Sequence, residues 1–122
     1  MKALLLVAHG SRRKQSNDEV VVLADKLKKN CFDQYSIIHA GFLELAETLI
    51  PDGIKNCVND GATSIIVLPY FLNSGRHVVE DIPNIVEETR SDYPDVDIKI
   101  AQHLGASDLM MDLLITSANS TN

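Results

Sequence analysis

Four short apolar runs, each separated from the next by a segment with helical spacing, constrain this chain more than any other feature. They occupy residues 3–8, 36–42, 64–70 and 96–101. Each is too short for a core helix and rich enough in Val, Ile and Leu for a buried strand. Between the first two, residues 17–30 set Val20, Val21, Leu23, Ala24 and Leu27 on one broad face. Ser16 followed by Glu19 has the S-x-x-E form of a capping box, which starts this helix near Asn17 and leaves 10–15 as a loop. A second helix is expected over 51–60, with Pro51 in its first turn and Gly61 as its stop. A third is expected over 82–91, with Asp81 as N-cap and Pro83 in the tolerated first turn. A fourth, over 107–117, takes Ser107 as its cap.

Near-continuous apolar strands alternating with helices imply a parallel sheet covered on both faces. Right-handed crossovers leave few ways to connect it. The expected fold is therefore α/β, a flavodoxin-like three-layer sandwich with four parallel strands in the order 2-1-3-4. The fourth strand falls at an edge, because Asp97 and Lys99 alternate with its apolar residues. A length of 122 residues suits one domain, 1–122, with the polar tail 117–122 frayed.

The formal net charge of −6 argues against nucleic-acid and acidic-membrane partners, which need a positive field. Cys31 and Cys57 form no C-x-x-C pair and are too few for a disulfide framework, which points to a reducing compartment. The run at 3–8 is too short for a signal sequence or a membrane span, so the expected location is cytoplasmic.

Ligands of a parallel α/β sheet bind beyond the carboxyl ends of its strands. His9 and Gly10 end the first expected strand, and Glu44 and Glu47 follow the second. Asn73, Ser74, Gly75, Arg76 and His77 follow the third, and Gln102 and His103 the fourth. Three of the four histidines thus reach one edge, while His39 lies inside a strand and reads as a satisfied core histidine. His9 and His77 with one carboxylate would make a usable first-row metal site with an open position. No H-x-x-x-H or H-x-x-E spacing reinforces this, and a histidine at a strand end also has a purely structural reading. His103 divides between a supporting role and a loop role.

Gly10 and Ser11 could instead hold an anion on backbone amides, but the expected helix start is too late for a tight phosphate loop. There is no G-x-G-x-x-G or Walker sequence. Arg12, Arg13 and Lys14 read either as a solvated loop or as a clamp on substrate carboxylates. Tyr70, Phe71 and Leu72 read either as packing or as an apolar platform for a flat ligand.

Several of these segments resemble the motifs of a known family. They are Ala8-His9-Gly10-Ser11-Arg12, Phe42-Leu43-Glu44-Leu45-Ala46-Glu47 and Leu68-Pro69-Tyr70-Phe71-Leu72. Gly75-Arg76-His77-Val78, Asp81-Ile82-Pro83 and His103-Leu104-Gly105 complete the series. In this order, over nearly the whole chain, they resemble the sirohydrochlorin chelatases, class II tetrapyrrole chelatases that need no ATP. The resemblance implies an enzyme that inserts Co²⁺ or Fe²⁺, with Ni²⁺ a third candidate, into sirohydrochlorin for cobalamin or sirohaem. It implies no permanently bound cofactor, and a homodimer of the small single-half type with its site in a cleft near the subunit interface.

By the same resemblance, His9 is a metal ligand and general base, His77 the second metal ligand, and Glu44 a metal or proton-handling carboxylate. Glu47, Leu72, Asn73, Ser74, Gly75, Arg76 and His77 are implied substrate contacts, and Arg12 and Arg13 would hold the acidic ring periphery. Thr48 stands where the family often has proline, which loosens the expected turn around Glu47. A neutral imidazole can bind metal or take a proton near neutrality, so metal binding is expected to weaken below about pH 6. Two other classes fit fewer residues. One is a metal carrier or sensor using the same histidines, and the other a hydrolase or phosphotransfer enzyme built on His9 and Gly10.

Overall fold

The computed structural model describes residues 1–30 and 33–121; Cys31 lies outside the described residues, as does Asn122 at the end of the tail. The four expected strands form, as β1 (Lys2–Ala8), β2 (Ile37–Phe42), β3 (Ser64–Pro69) and β4 (Asp97–Ile100). They pair in parallel in the order β2-β1-β3-β4, as expected from the alternation of strands and helices. Ala3 to Ala8 of β1 are all buried, because this strand has a neighbour on each side and apolar cover on each face. β4 is the polar edge strand, with only Ile98 buried.

Helix α1 (Lys14–Asn30) covers one face of the sheet, packing Val20 and Ala24 on Leu4, Leu6, Ile38 and Phe42. On the other face, α2 (Ile50–Asn59) and α3 (Ile82–Arg90) enclose a core of Leu5, Val7, Ile54, Ile65, Val67 and Val86. Gly61 ends the α2 turn at φ +103°, the left-handed conformation expected of a glycine stop.

Four local expectations fail, each because a different hydrogen bond wins. α1 begins at Lys14 rather than near Asn17, since the Ser11 hydroxyl accepts the Arg13 N–H at 3.0 Å and turns the chain early. Ser16 is therefore inside the helix, where its hydroxyl accepts from the Arg13 guanidinium instead of capping. Asp81 does not cap α3: it is helical (φ −66°, ψ −49°), and a π-helical turn over His77–Asp81 runs straight into α3. The last helix, α4 (Met110–Asn119), starts after a 3₁₀ turn at Leu104–Ala106, with the Ser107 hydroxyl accepting the Leu109 N–H. It continues to Asn119. α4 also lies on neither face of the sheet and buries none of its residues.

Candidate functional site

The loop after β1 is shaped by Gly10. It adopts φ +96°, and a Cβ there would stand 1.7 Å from the Glu44 carbonyl oxygen. This close approach lets the Glu44 N–H donate to the His9 carbonyl at 3.1 Å, and the Leu43 N–H to Ala8 at 3.1 Å. The β1 and β2 loops are thereby stitched together at the carboxyl edge of the sheet. Asn17, one turn into α1, adds a second stitch. Its side chain accepts the Ser11 N–H, donates to the Ser11 carbonyl, and donates to the Leu45 carbonyl, each at 2.9 Å. Leu45 is held at φ +58°, a strained conformation for leucine, in the middle of this loop.

The stitched loops bring His9 and Glu44 together, with His9 Nε2 3.7 Å from Glu44 Oε2. That is too long for a hydrogen bond. It is close to the roughly 3–3.5 Å that separates two donors each about 2.1 Å from one first-row ion. The π-helical turn delivers His77 from the other side. Its ring lies against that of His9, centroids 4.5 Å apart and planes tilted by 32°. Both histidines remain about half exposed, so the pair is accessible from solvent.

The second ring nitrogen of His77 is spoken for. Nδ1 lies 2.6 Å from Asp81 Oδ2, one turn along the same helical segment. An ionised carboxylate only accepts, so Nδ1 carries the hydrogen and, in the neutral ring, Nε2 keeps a free lone pair. This is the arrangement that fixes tautomer and ring orientation in metal-binding histidines. A small hollow of about 230 Å³ runs past this pair, lined by Glu44, His77, Asp81 and Asn84 among others. Among the described residues, no three His, Cys, Asp or Glu side chains are already drawn together as a cage for a metal ion. His9, His77 and Glu44 are neighbours around an open space, with the two rings stacked rather than aimed at one point.

A larger groove of about 510 Å³ lies on the α1 side of this edge. Arg12, Lys14, Leu45, Glu47 and Thr48 line it. Glu47 thus faces a groove it shares with Arg12 and Lys14. The Phe42 N–H closes the loop on the Thr48 carbonyl at 2.9 Å, a bond that does not need proline at position 48. The two arginines part company: Arg12 faces the groove, while Arg13 turns back to Ser16.

Leu72, Asn73, Ser74, Gly75 and Arg76 form an exposed loop leading into the π-helical turn. Arg76 lies 3.7 Å from Glu80, a solvent-exposed pair that competes weakly for the guanidinium. His39 is partly buried, not core, and is satisfied by Asp60 at 2.6 Å. His103 opens the 3₁₀ turn, where its carbonyl accepts the Ala106 N–H. Asn17 and Asp81 are the residues that sequence reasoning misses. Each looks like an ordinary helix-start residue until its side-chain partners are seen.

Comparison with known proteins gives the same answer from another direction. The family profile described as CbiX matches residues 3–121. A sirohydrochlorin cobaltochelatase of Methanocaldococcus jannaschii is 32% identical, matched over 97% of this chain and 98% of that protein. A sirohydrochlorin ferrochelatase of Priestia megaterium is 34% identical over 100% of this chain, which spans only 45% of that longer protein. The crystal structure of the sirohydrochlorin chelatase SirB from Bacillus subtilis subspecies spizizenii in complex with cobalt superposes with a TM-score of 0.86. That match has 29% identity and covers 98% of this chain and 50% of SirB. The motifs at the sheet edge, the fold that gathers them and these matches agree that the chain belongs to the CbiX family of sirohydrochlorin chelatases.

Proposed function

We propose that this protein inserts a divalent metal, Co²⁺ or Fe²⁺, into sirohydrochlorin without ATP. Ni²⁺ is a third substrate to test. The observation that carries the reading is the open trio of His9, Glu44 and His77 at the carboxyl edge of the sheet, with the two rings 4.5 Å apart. Neither nitrogen ligand needs to be stripped from a closed cage before the metal moves on, which suits a site that hands its ion over.

In this reading the metal is a substrate and no cofactor stays bound. His9 and the free Nε2 of His77 hold the ion beside one face of the ring. Glu44, 3.7 Å from His9, lends the carboxylate. As ring nitrogens displace the protein ligands, the freed His9 imidazole and Glu44 are placed to accept the ring N–H protons. Asp81 keeps the His77 ring turned the right way throughout. Arg12 and Arg76, with Arg13 if it releases Ser16, pair with carboxylates on the ring periphery. Glu47 and the loop 72–76 flank the ring, and Gly75, with nothing within 4 Å of where its Cβ would be, allows close approach.

The proposal includes a homodimer acting in the cytoplasm. The family resemblance implies the first, and a buried free thiol at Cys57 fits a reducing compartment. An anaerobic assay following sirohydrochlorin absorbance with Co²⁺, Fe²⁺ and Ni²⁺ tests the activity. Acceleration over the spontaneous rate that vanishes in His9→Ala and His77→Ala is the expected result. Tight Co²⁺ binding by folded protein with no acceleration for any metal would refute it and leave a metal carrier.

A further inference from the structure

Leu45 holds a backbone conformation that leucine rarely adopts. Among the described residues it is the only one other than glycine with a positive φ, +58°. Asparagine and glycine accept that conformation readily, and leucine does so at a cost in stability. A strained residue persists where its surroundings over-determine it. Here they do. The Asn17 side chain donates to the Leu45 carbonyl at 2.9 Å, and its other two hydrogen bonds tie it to Ser11. Core packing does not account for the leucine side chain. Nearby Leu43 and Ala46 pack into the cores on the two faces of the sheet, whereas Leu45 is 47% exposed.

The side chain faces the groove of about 510 Å³, immediately after Glu44 of the histidine trio. That groove is mixed in character: Phe42 and Leu45 are apolar, Arg12 and Lys14 basic, Asp18 and Glu47 acidic. Lys14 lies 3.5 Å from Asp18, an exposed pair. Across the site stands a second exposed leucine. β1 runs between β2 and β3, in a register that sets Ala8 beside Phe42 and Val7 beside Pro69. Leu45 comes three residues after Phe42, and Leu72, 66% exposed, three after Pro69. The loops carrying the two leucines therefore leave the sheet on either side of His9.

We propose that Leu45 is a substrate contact, its side chain laid against the flat face of the tetrapyrrole, with Asn17 as the residue that positions it. This deepens the chelatase reading above and rests on it. A tetrapyrrole of this class carries its carboxylates on the rim and is apolar across its face. Arg12 in the same groove meets the rim. Leu45 meets the face, next to the point where the metal leaves His9 and Glu44. A leucine at a position that suits asparagine or glycine points to a use for the side chain rather than for the backbone. About half of the residue is left to bury when the ring arrives. Covering that much apolar surface tightens binding by about 10-fold.

Equilibrium titration of sirohydrochlorin without metal, followed by its absorbance, tests the contact. Leu45→Gly and Leu45→Asn fit the backbone better but lose the apolar reach. Each is expected to bind sirohydrochlorin about 10-fold more weakly, while melting at or above the wild-type temperature. Leu45→Met, strained like the wild type, is expected to recover most of the affinity. Co²⁺ affinity measured without sirohydrochlorin is expected to be unchanged in all three, since leucine offers the metal no donor atom. Glycine and asparagine variants that bind sirohydrochlorin as tightly as the wild type overturn the contact. So does a fall in Co²⁺ affinity that parallels the fall for sirohydrochlorin, because Leu45 would then act only through the shape of the Glu44 loop. A set of proteins that gives the expected binding pattern, yet whose wild type accelerates insertion of no metal, overturns the chelatase reading and upholds the contact. A wild type that does not bind sirohydrochlorin overturns both.

Discussion

The Gly10→Ala substitution is the sharpest test of how the loops build the site. Gly10 sits at φ +96°, and a methyl group there would lie 1.7 Å from the Glu44 carbonyl oxygen and 2.9 Å from its carbon. Real contacts of a Cβ do not fall below 3.0 Å, so the β2 loop must retreat by about 1.3 Å. Retreat breaks the bond from the Glu44 N–H to the His9 carbonyl. The left-handed conformation costs alanine about 1–2 kcal/mol and the lost hydrogen bond about 1 kcal/mol. The sum is about 2–3 kcal/mol, or roughly 10 °C in melting temperature for a domain of this size. The functional effect is larger, because a displacement of about 1 Å at reacting groups costs about 100-fold in rate. The assay is anaerobic Co²⁺ insertion into sirohydrochlorin well below the variant's melting temperature, alongside calorimetric unfolding. Gly75→Ala serves as the stability control, since its added methyl meets nothing within 4 Å. A Gly10→Ala protein that melts within about 1 °C of wild type and inserts metal within threefold of its rate would refute the reasoning.

Other substitutions probe separate parts of the structure. Asp81→Asn should weaken Co²⁺ binding by about 10–100-fold in calorimetric titration while leaving the melting temperature nearly unchanged. Equal affinity would show that the His77 ring needs no anchor. Asn17→Ala removes three hydrogen bonds that tie α1 to both loops and should slow insertion without disturbing the core, as read by rate and far-ultraviolet dichroism. Ile54 is fully buried under the sheet, so Ile54→Ala should lower unfolding free energy in urea by about 2–5 kcal/mol. Burial, and then the nearby Asp60 charge, push the Cys57 thiol up from 9.0 to about 12. A raised acid keeps its stabilising contribution below pH 9 and loses it as pH climbs toward 12. The urea midpoint of the wild type should therefore fall relative to Cys57→Val across that window; parallel curves would contradict the burial argument.

The layers of the fold were readable because each strand is a solid apolar run and each connection a single amphipathic helix. Right-handed crossovers then leave few strand orders. His9, Glu44 and His77 were readable because all three follow strands whose carboxyl ends share one edge. What stayed hidden depends on side chains choosing among partners. Ser11 and Ser16 are both competent to start α1, and only the three-dimensional turn favours Ser11. Asp81 has the chemistry of an N-cap, yet its carboxylate finds an imidazole one turn back and the helix runs through it. Asn17 acts on Leu45, 28 residues away, which no local pattern encodes. α4 reads as a normal covering helix, since an apolar pattern says that a surface tends to be buried but not against what.

The position of β1 at the middle of the sheet also governs how the protein is born. β1 precedes both of its partners in the chain yet needs one on each side, and the second of them, β3, ends only at Pro69. Until then a strand of six consecutive buried residues has nowhere to hide on one side. Non-local parallel pairing of this kind is slow, and the waiting strand is exposed to aggregation. The site comes together only once β3 is in place, because His77 follows that strand and lies against His9 at its carboxyl end. The trio at the sheet edge is therefore complete only after the hazardous stage of folding is over, and a chain stalled short of β3 would carry His9 without His77 beside it.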